Sequence, residues 1–194
     1  MTSRLREEFK RQRHVVLHAV VTEPLLGFLW RHTLARVADA GDDAGDTQVP
    51  AAAGFYAEPV MEHLLQRLQP VVEEASGLRL HPTYSYLRLY RNGASLDIHQ
   101  DRPACEISVS VNLGADPRAS WPLWIRSAEG PIAAHLEPGD ALLYRGMELE
   151  HWREPYTGRA VAQVFLHYVD QAGPCAAWRF DKRDGLALTV PLPI

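Results

Sequence analysis

Ile107-Ser108-Val109-Ser110-Val111-Asn112-Leu113 alternates apolar and polar side chains without a break. On a strand, side chains two apart leave from the same face, so this segment has one polar row, Ser108, Ser110 and Asn112, and one apolar row. The same period returns in short runs separated by turn residues: Arg79 to Tyr90, Leu96 to His99, Leu123 to Arg126, Ile132 to Leu136, Ala141 to Tyr144 and Arg159 to Tyr168. A β-rich core over residues 78–170 is the consequence.

The N-terminal third, residues 1–77, reads differently. Residues 2–13 form a charged surface helix, and His14 to Val21 reads as a strand. Thr22 is placed as an N-cap, with Glu23 and Pro24 in the first turn of a helix running to about Asp39. Gly41 to Gly54 is rich in Gly, Asp and Ala and reads as a long loop, mobile or a lid. From Glu58 to Ala75, Val60, Met61, Leu64, Leu65, Leu68, Val71 and Val72 recur at helical spacing, and Pro70 is expected to kink or divide that helix. Residues 171–194, with Trp178 and Phe180, form a tail across the outside. The layout predicts a single α+β domain over 1–194, with the N-terminal helices packed outside a β-sandwich or flattened barrel.

The chain has 194 residues, 46% of them hydrophobic and 23% charged, with a formal charge of −4. That balance suits a soluble globular domain and gives no general basic field for nucleic acid or an anionic membrane. The two cysteines, Cys105 and Cys175, make neither a metal-ligand pair nor a disulfide framework, so a reducing compartment is expected. Residues 1–13 lack the apolar core of a signal peptide and no apolar run is long enough to span a bilayer. A cytoplasmic location follows as an expectation.

His99-Gln100-Asp101 ends one of the strands, and spacing by two lets His99 and Asp101 meet one ion while Gln100 points away. His151 lies beyond the turn Pro138-Gly139-Asp140, the strand Ala141 to Tyr144 and a second turn at Arg145-Gly146. Two imidazoles and a carboxylate can hold a divalent iron on one face of its octahedron and leave the other face open. Alone, a His-x-Asp triplet in a chain with nine histidines is a common coincidence, and a single histidine is more often structural than ligating.

Order and context together make the chain resemble the iron(II)- and 2-oxoglutarate-dependent oxygenases, in particular their prolyl-hydroxylase-like branch. The matching parts run from about Tyr84 to Tyr168. Tyr90-Arg91-Asn92-Gly93 is similar to the turn that leads to the His-x-Asp, and Ile107 to Leu113 to the strand after it. Trp121 to Ile125 resembles the next strand. Pro138-Gly139-Asp140 resembles the turn before the strand leading to the last histidine, and Gly158-Arg159 the co-substrate arginine.

The resemblance implies a double-stranded β-helix, that is, a jelly-roll or cupin-like barrel. It implies iron(II) on His99, Asp101 and His151, with 2-oxoglutarate and O2 as co-substrates and ascorbate as a supporting reductant. Arg159 would take the far carboxylate of 2-oxoglutarate, with Tyr90 and Ser110 as further contacts. Tyr86, Arg88, Leu123, Trp121 and Phe165 would line the substrate side, and an arginine at 88 predicts an acidic group on the substrate. The implied reaction is hydroxylation of a small substrate bearing a carboxylate, an amino acid or metabolite, with release of succinate and CO2. Prolyl-type hydroxylation of a protein or peptide is the first alternative, and a non-catalytic β-barrel holding a structural metal such as zinc is the second. A monomer or homodimer without nucleic-acid or membrane partners is expected.

Overall fold

The computed structural model describes residues 2–41, 45–117 and 120–188. Part of the Gly41 to Gly54 loop, residues 42–44, and the last residues of the tail, 189–194, lie outside the described residues. In chain order the elements are α1 (Thr2–Gln12), β1 (His14–Leu17), α2 (Leu25–Ala40), β2 (Ala52–Tyr56), α3 (Pro59–Ser76), β3 (Leu80–Arg91) and β4 (Leu96–His99). They continue with β5 (Ile107–Asp116), β6 (Leu123–Ser127), β7 (Gly130–Ala134), β8 (Ala141–Tyr144), β9 (His151–Arg153) and β10 (Ala160–Asp170). Two 3₁₀ segments, Pro103–Cys105 and Ala176–Lys182, complete the set.

The strands form two antiparallel sheets, one of six in the order β1-β8-β5-β10-β3-β2 and one of four in the order β4-β9-β6-β7. The alternation in β5 decides which side of the large sheet meets what. Its apolar row, Ile107, Val109, Val111 and Leu113, joins Leu143, Val164, Leu166 and Leu87 in a core closed by Phe9 of α1, Leu29 of α2 and Leu64, Leu65 and Leu68 of α3. The helices thus pack on the outside. The polar row of the same strand turns inward, toward the small sheet, where Leu142 and Tyr144 of β8 meet Leu123 and Ile125 of β6.

Helix α3 shows why this sequence folds locally as it does. Glu58 caps it by accepting from the Met61 amide at 3.0 Å, Pro59 opens it, and Gly77 closes it in the left-handed region at φ 75°. Contrary to expectation, Pro70 does not divide the helix. Pro70 and Gln66, whose carbonyl would have been its partner, are both exposed, so water satisfies the freed oxygen. The helix predicted from Thr22 begins at Leu25, with Pro24 as its capping residue and no side-chain cap, although the Thr22 carbonyl already accepts from the Leu26 amide at 3.0 Å. The loop from Gly41 ends in a strand, β2, that pairs with β3, and a short strand runs through His151 itself.

Glu62 of α3 is fully buried and ties three parts of the chain together. It accepts from the Ser85 amide at 2.7 Å, the Ser85 hydroxyl at 2.9 Å, the Arg183 guanidinium at 2.9 Å and the Ala187 amide at 3.2 Å. Its replacement in Glu62→Ala strands these donors, and urea unfolding should show a loss of about 3–5 kcal/mol.

Candidate metal centre

Two short strands of the small sheet build the site. His99 ends β4, His151 begins β9, and the two are direct partners in the ladder, with ring centroids 4.2 Å apart. Asp101 follows two residues after His99, its amide held at 2.9 Å by the Gly146 carbonyl. One ligating atom from each of the three residues lies within 4.8 Å of the others. His99 Nε2 is 3.8 Å and His151 Nε2 3.6 Å from Asp101 Oδ1. Ligands around an ion at roughly 2.1 Å lie about 3 Å from one another, so small side-chain movements suffice to seat one.

The tautomers are set for the same purpose. His99 Nδ1 lies 2.8 Å from the Asp97 carbonyl and His151 Nδ1 2.9 Å from the Leu149 carbonyl. A carbonyl only accepts, so each Nδ1 carries the proton and each Nε2 presents a lone pair. Burial lowers the pKa of His151, against the pull of Asp101, which keeps the imidazole neutral and able to ligate. On the other side of Asp101, Oδ2 accepts from the Ser108 hydroxyl at 2.8 Å, and Ser108 is 3.0 Å from His167 Nδ1. This leaves Oδ1 facing the histidines. Cys105 also lies beside Asp101, its thiol 3.0 Å from the Tyr84 hydroxyl and its pKa raised by burial.

The three residues line a cavity of about 360 Å³, together with Tyr86, Arg88, Leu123 and Phe165 among the residues expected on its substrate side. Residues 45–49 fold onto this cavity as an ordered wall. Asp46 Oδ1 accepts from the Gln48 and Val49 amides, both at 2.9 Å, and its Oδ2 accepts from Arg88 Nε at 2.6 Å and the Tyr86 hydroxyl at 2.9 Å. Arg88 also bonds Gln48 Oε1 at 2.9 Å and the Tyr90 hydroxyl at 3.2 Å. Arg88 therefore holds the wall and offers no free fork to a substrate acid, which removes the ground for a carboxylate on the substrate. At the cavity mouth, Arg102 is likewise taken, by a two-pronged pair with Asp181 at 2.7 Å on each arm. The tail segment Ala176–Lys182 thus borders the mouth.

Of the other expected contacts, Tyr90, Ser110 and Trp121 stand behind the cavity wall rather than on it. Tyr90 is fully buried against Trp121, their ring centroids 4.8 Å apart, and Ser110 is buried within 3.4 Å of Gln163 Oε1. Arg159 is in the wrong place. Its side chain is 77% exposed and pairs with Asp116. The residues of β10 that line the cavity are Phe165 and His167, the nearer of them six residues on, roughly 20 Å away at strand rise. Period two extended back from β10 puts Arg159 on the same face as Phe165 and His167, but it precedes the strand at the end away from the cavity.

Sequence reading missed Ser108, which shares the polar row of Ser110 and sits one step nearer Asp101. It also missed Arg153. Two residues after His151 on β9, Arg153 shares that histidine's face and is 2% exposed. Its Nη1 donates to the Trp121 carbonyl at 2.7 Å, and its guanidinium lies 4.6 Å from the Trp121 ring centroid and 5.9 Å from that of Tyr90. Nε and Nη2 have no partner among the described residues. A strand drawn through His151 would have found it.

Known structures share this architecture. The SnoN epimerase of nogalamycin biosynthesis, solved with Fe3+, α-ketoglutarate and nogalamycin RO, superposes at a TM-score of 0.74 over 99% of this chain and 93% of that one, at 13% identity. EctD from S. alaskensis in its apo form gives 0.72 over 97% and 87%, at 20% identity. A Pseudomonas putida prolyl-4-hydroxylase gives 0.69 over 88% and 99%, at 16% identity. Neither a family model nor a curated protein matches the sequence. The chain has the fold of these enzymes.

Two outcomes test the local geometry. A Cβ on Gly146 would stand 2.2 Å from Asp101 Oδ2 and 2.5 Å from the Cys105 carbonyl, so Gly146→Ala should push the carboxylate aside and lower iron(II) affinity at least about tenfold in an anaerobic titration. Burial lowers the His167 pKa to about 4. Between there and its ordinary value the unfolded chain takes up a proton that the folded one refuses, so stability falls as pH drops. Urea unfolding of the metal-free protein at about pH 7 and about pH 5 should show this group contributing a loss of about 2 kcal/mol, and His167→Gln should abolish that part.

Proposed function

We propose that this protein is an iron(II)- and 2-oxoglutarate-dependent dioxygenase that hydroxylates an unactivated C–H bond of a small substrate, with release of succinate and CO2. The observation that carries this reading is the convergence of His99 Nε2, His151 Nε2 and Asp101 Oδ1, with both imidazole tautomers fixed for ligation. Three protein ligands suit a divalent iron that would keep positions open for a chelating keto acid and O2; oxidative decarboxylation of the keto acid, coupled to reduction of O2, would supply the oxidising power a C–H bond requires. The fold shared with α-ketoglutarate-dependent enzymes supports it, and we read the two facing sheets as one double-stranded β-helix domain.

The chain's own contribution is geometry and exclusion of water. Ser108 holds Asp101, the Asp97 and Leu149 carbonyls hold the histidines, and residues 45–49 cover the cavity through Arg88. A cavity of about 360 Å³ suits a small molecule better than a length of polypeptide. The substrate is received by the faces of Tyr84, Tyr86 and Phe165 and by hydrogen bonds, since Arg88 and Arg102 already hold Asp46 and Asp181.

Anaerobic addition of iron(II) and then 2-oxoglutarate should produce a weak visible charge-transfer band that is lost in His99→Ala. Tight zinc binding with no such band would make the site a structural metal centre instead. Succinate release over a panel of metabolites then identifies the substrate class.

A further inference from the structure

We propose that Arg153, and not a residue of the last strand, receives the distal carboxylate of the keto-diacid co-substrate. This rests on the oxygenase reading of the preceding section and assigns a site within it. A guanidinium that is 2% exposed, with Nε and Nη2 lacking a hydrogen bond of good geometry and only neutral tyrosine hydroxyls near it, is a costly arrangement for a folded chain, since burial removes water and no anion replaces it. Such a group is satisfied when an anion arrives. Its neighbours narrow the choice of anion.

Arg88 is engaged by Asp46, Gln48 and Tyr90, and Arg102 by Asp181. Arg159 is exposed and paired with Asp116. Arg153 has the Trp121 carbonyl, the rings of Trp121 and Tyr90 and, as polar neighbours, the Tyr90 and Tyr144 hydroxyls, and no carboxylate is paired with it. A fork with its Nε and one Nη free matches the two oxygens of a carboxylate side by side.

The placement also fits the length of a five-carbon keto diacid. His151 and Arg153 are two residues apart on one strand face, roughly 7 Å between their Cα atoms. Four carbon–carbon bonds of about 1.5 Å in an extended zigzag span roughly 5 Å, so the keto-acid end can meet the metal while the far end meets the arginine. Arg153 lies just behind the cavity wall as the ladder partner of Leu96, which with Leu123 and Phe165 gives the cavity an apolar lining there, so a charge pair formed at that end is little screened.

The test compares 2-oxoglutarate with 2-oxopentanoate, which has the same carbon chain and a methyl group in place of the distal carboxylate. With iron(II) under anaerobic conditions, the wild-type charge-transfer titration should favour 2-oxoglutarate about 100-fold or more. Arg153→Met should abolish that preference while binding 2-oxopentanoate as the wild type does, and Arg159→Met should keep it. In the ligand-free protein, thermal unfolding of Arg153→Met should occur at a higher temperature than wild type, because a lone buried charge has been removed, and 2-oxoglutarate should no longer raise it. Arg153→Lys, which keeps the charge without the fork, should show a reduced preference and serves if the methionine variant does not fold. Full preference in Arg153→Met or in Arg153→Lys, or its loss in Arg159→Met, overturns the assignment. No response of the wild type to either keto acid overturns the oxygenase reading itself.

Discussion

The ladder pairing of His99 with His151 is the constraint on which the rest of the site depends. It fixes two imidazoles across a gap that one ion can bridge, and the carbonyls of Asp97 and Leu149, each two residues upstream, choose the tautomer for both. Because the clamp is made by backbone, it is insensitive to most side-chain changes nearby. Asp101 needs side-chain help instead, from Ser108 on the facing sheet. The candidate metal site is therefore assembled only when the two sheets are correctly apposed, and the helices that cover the outer face of the large sheet serve that end.

Much of this was legible in residues 78–170. Period two in Ile107 to Leu113 gives both the strand and its inward polar row, and His-x-Asp followed by a distant histidine gives the metal-facing set. Two things were not legible. Pro70 suggested a broken helix because the sequence does not say that the lost hydrogen bond faces water. Arg159 looked right because its strand face is right, and only the length of β10 shows that a correct face at the wrong end of a strand is out of reach. The three-residue strand β9 is too short to show a period of its own, so the only signal for Arg153 was its spacing of two from His151.

Charge around the cavity is settled internally. Arg88 closes a wall by holding Asp46, and Arg102 holds Asp181 of the tail, so these cations act as latches between distant segments. The Arg88–Asp46 pair is buried, where the low dielectric makes it far more secure than a pair at the surface, whereas the Arg102–Asp181 pair lies at the cavity mouth. What looks in the sequence like a binding arginine can thus be spent on architecture, and the distinction needs the partner's position, here residues some forty or eighty places away along the chain.

Cys105 is the one soft atom beside an otherwise hard donor set. Burial holds its proton in place, and the Tyr84 hydroxyl occupies it at 3.0 Å, so it stands next to Asp101 as a thiol and not as a thiolate. Thiolates draw zinc and cuprous ions more strongly than iron. A thiol kept from ionising in this position leaves the nitrogens and oxygen as the ligands on offer, a set without the thiolate that would favour zinc.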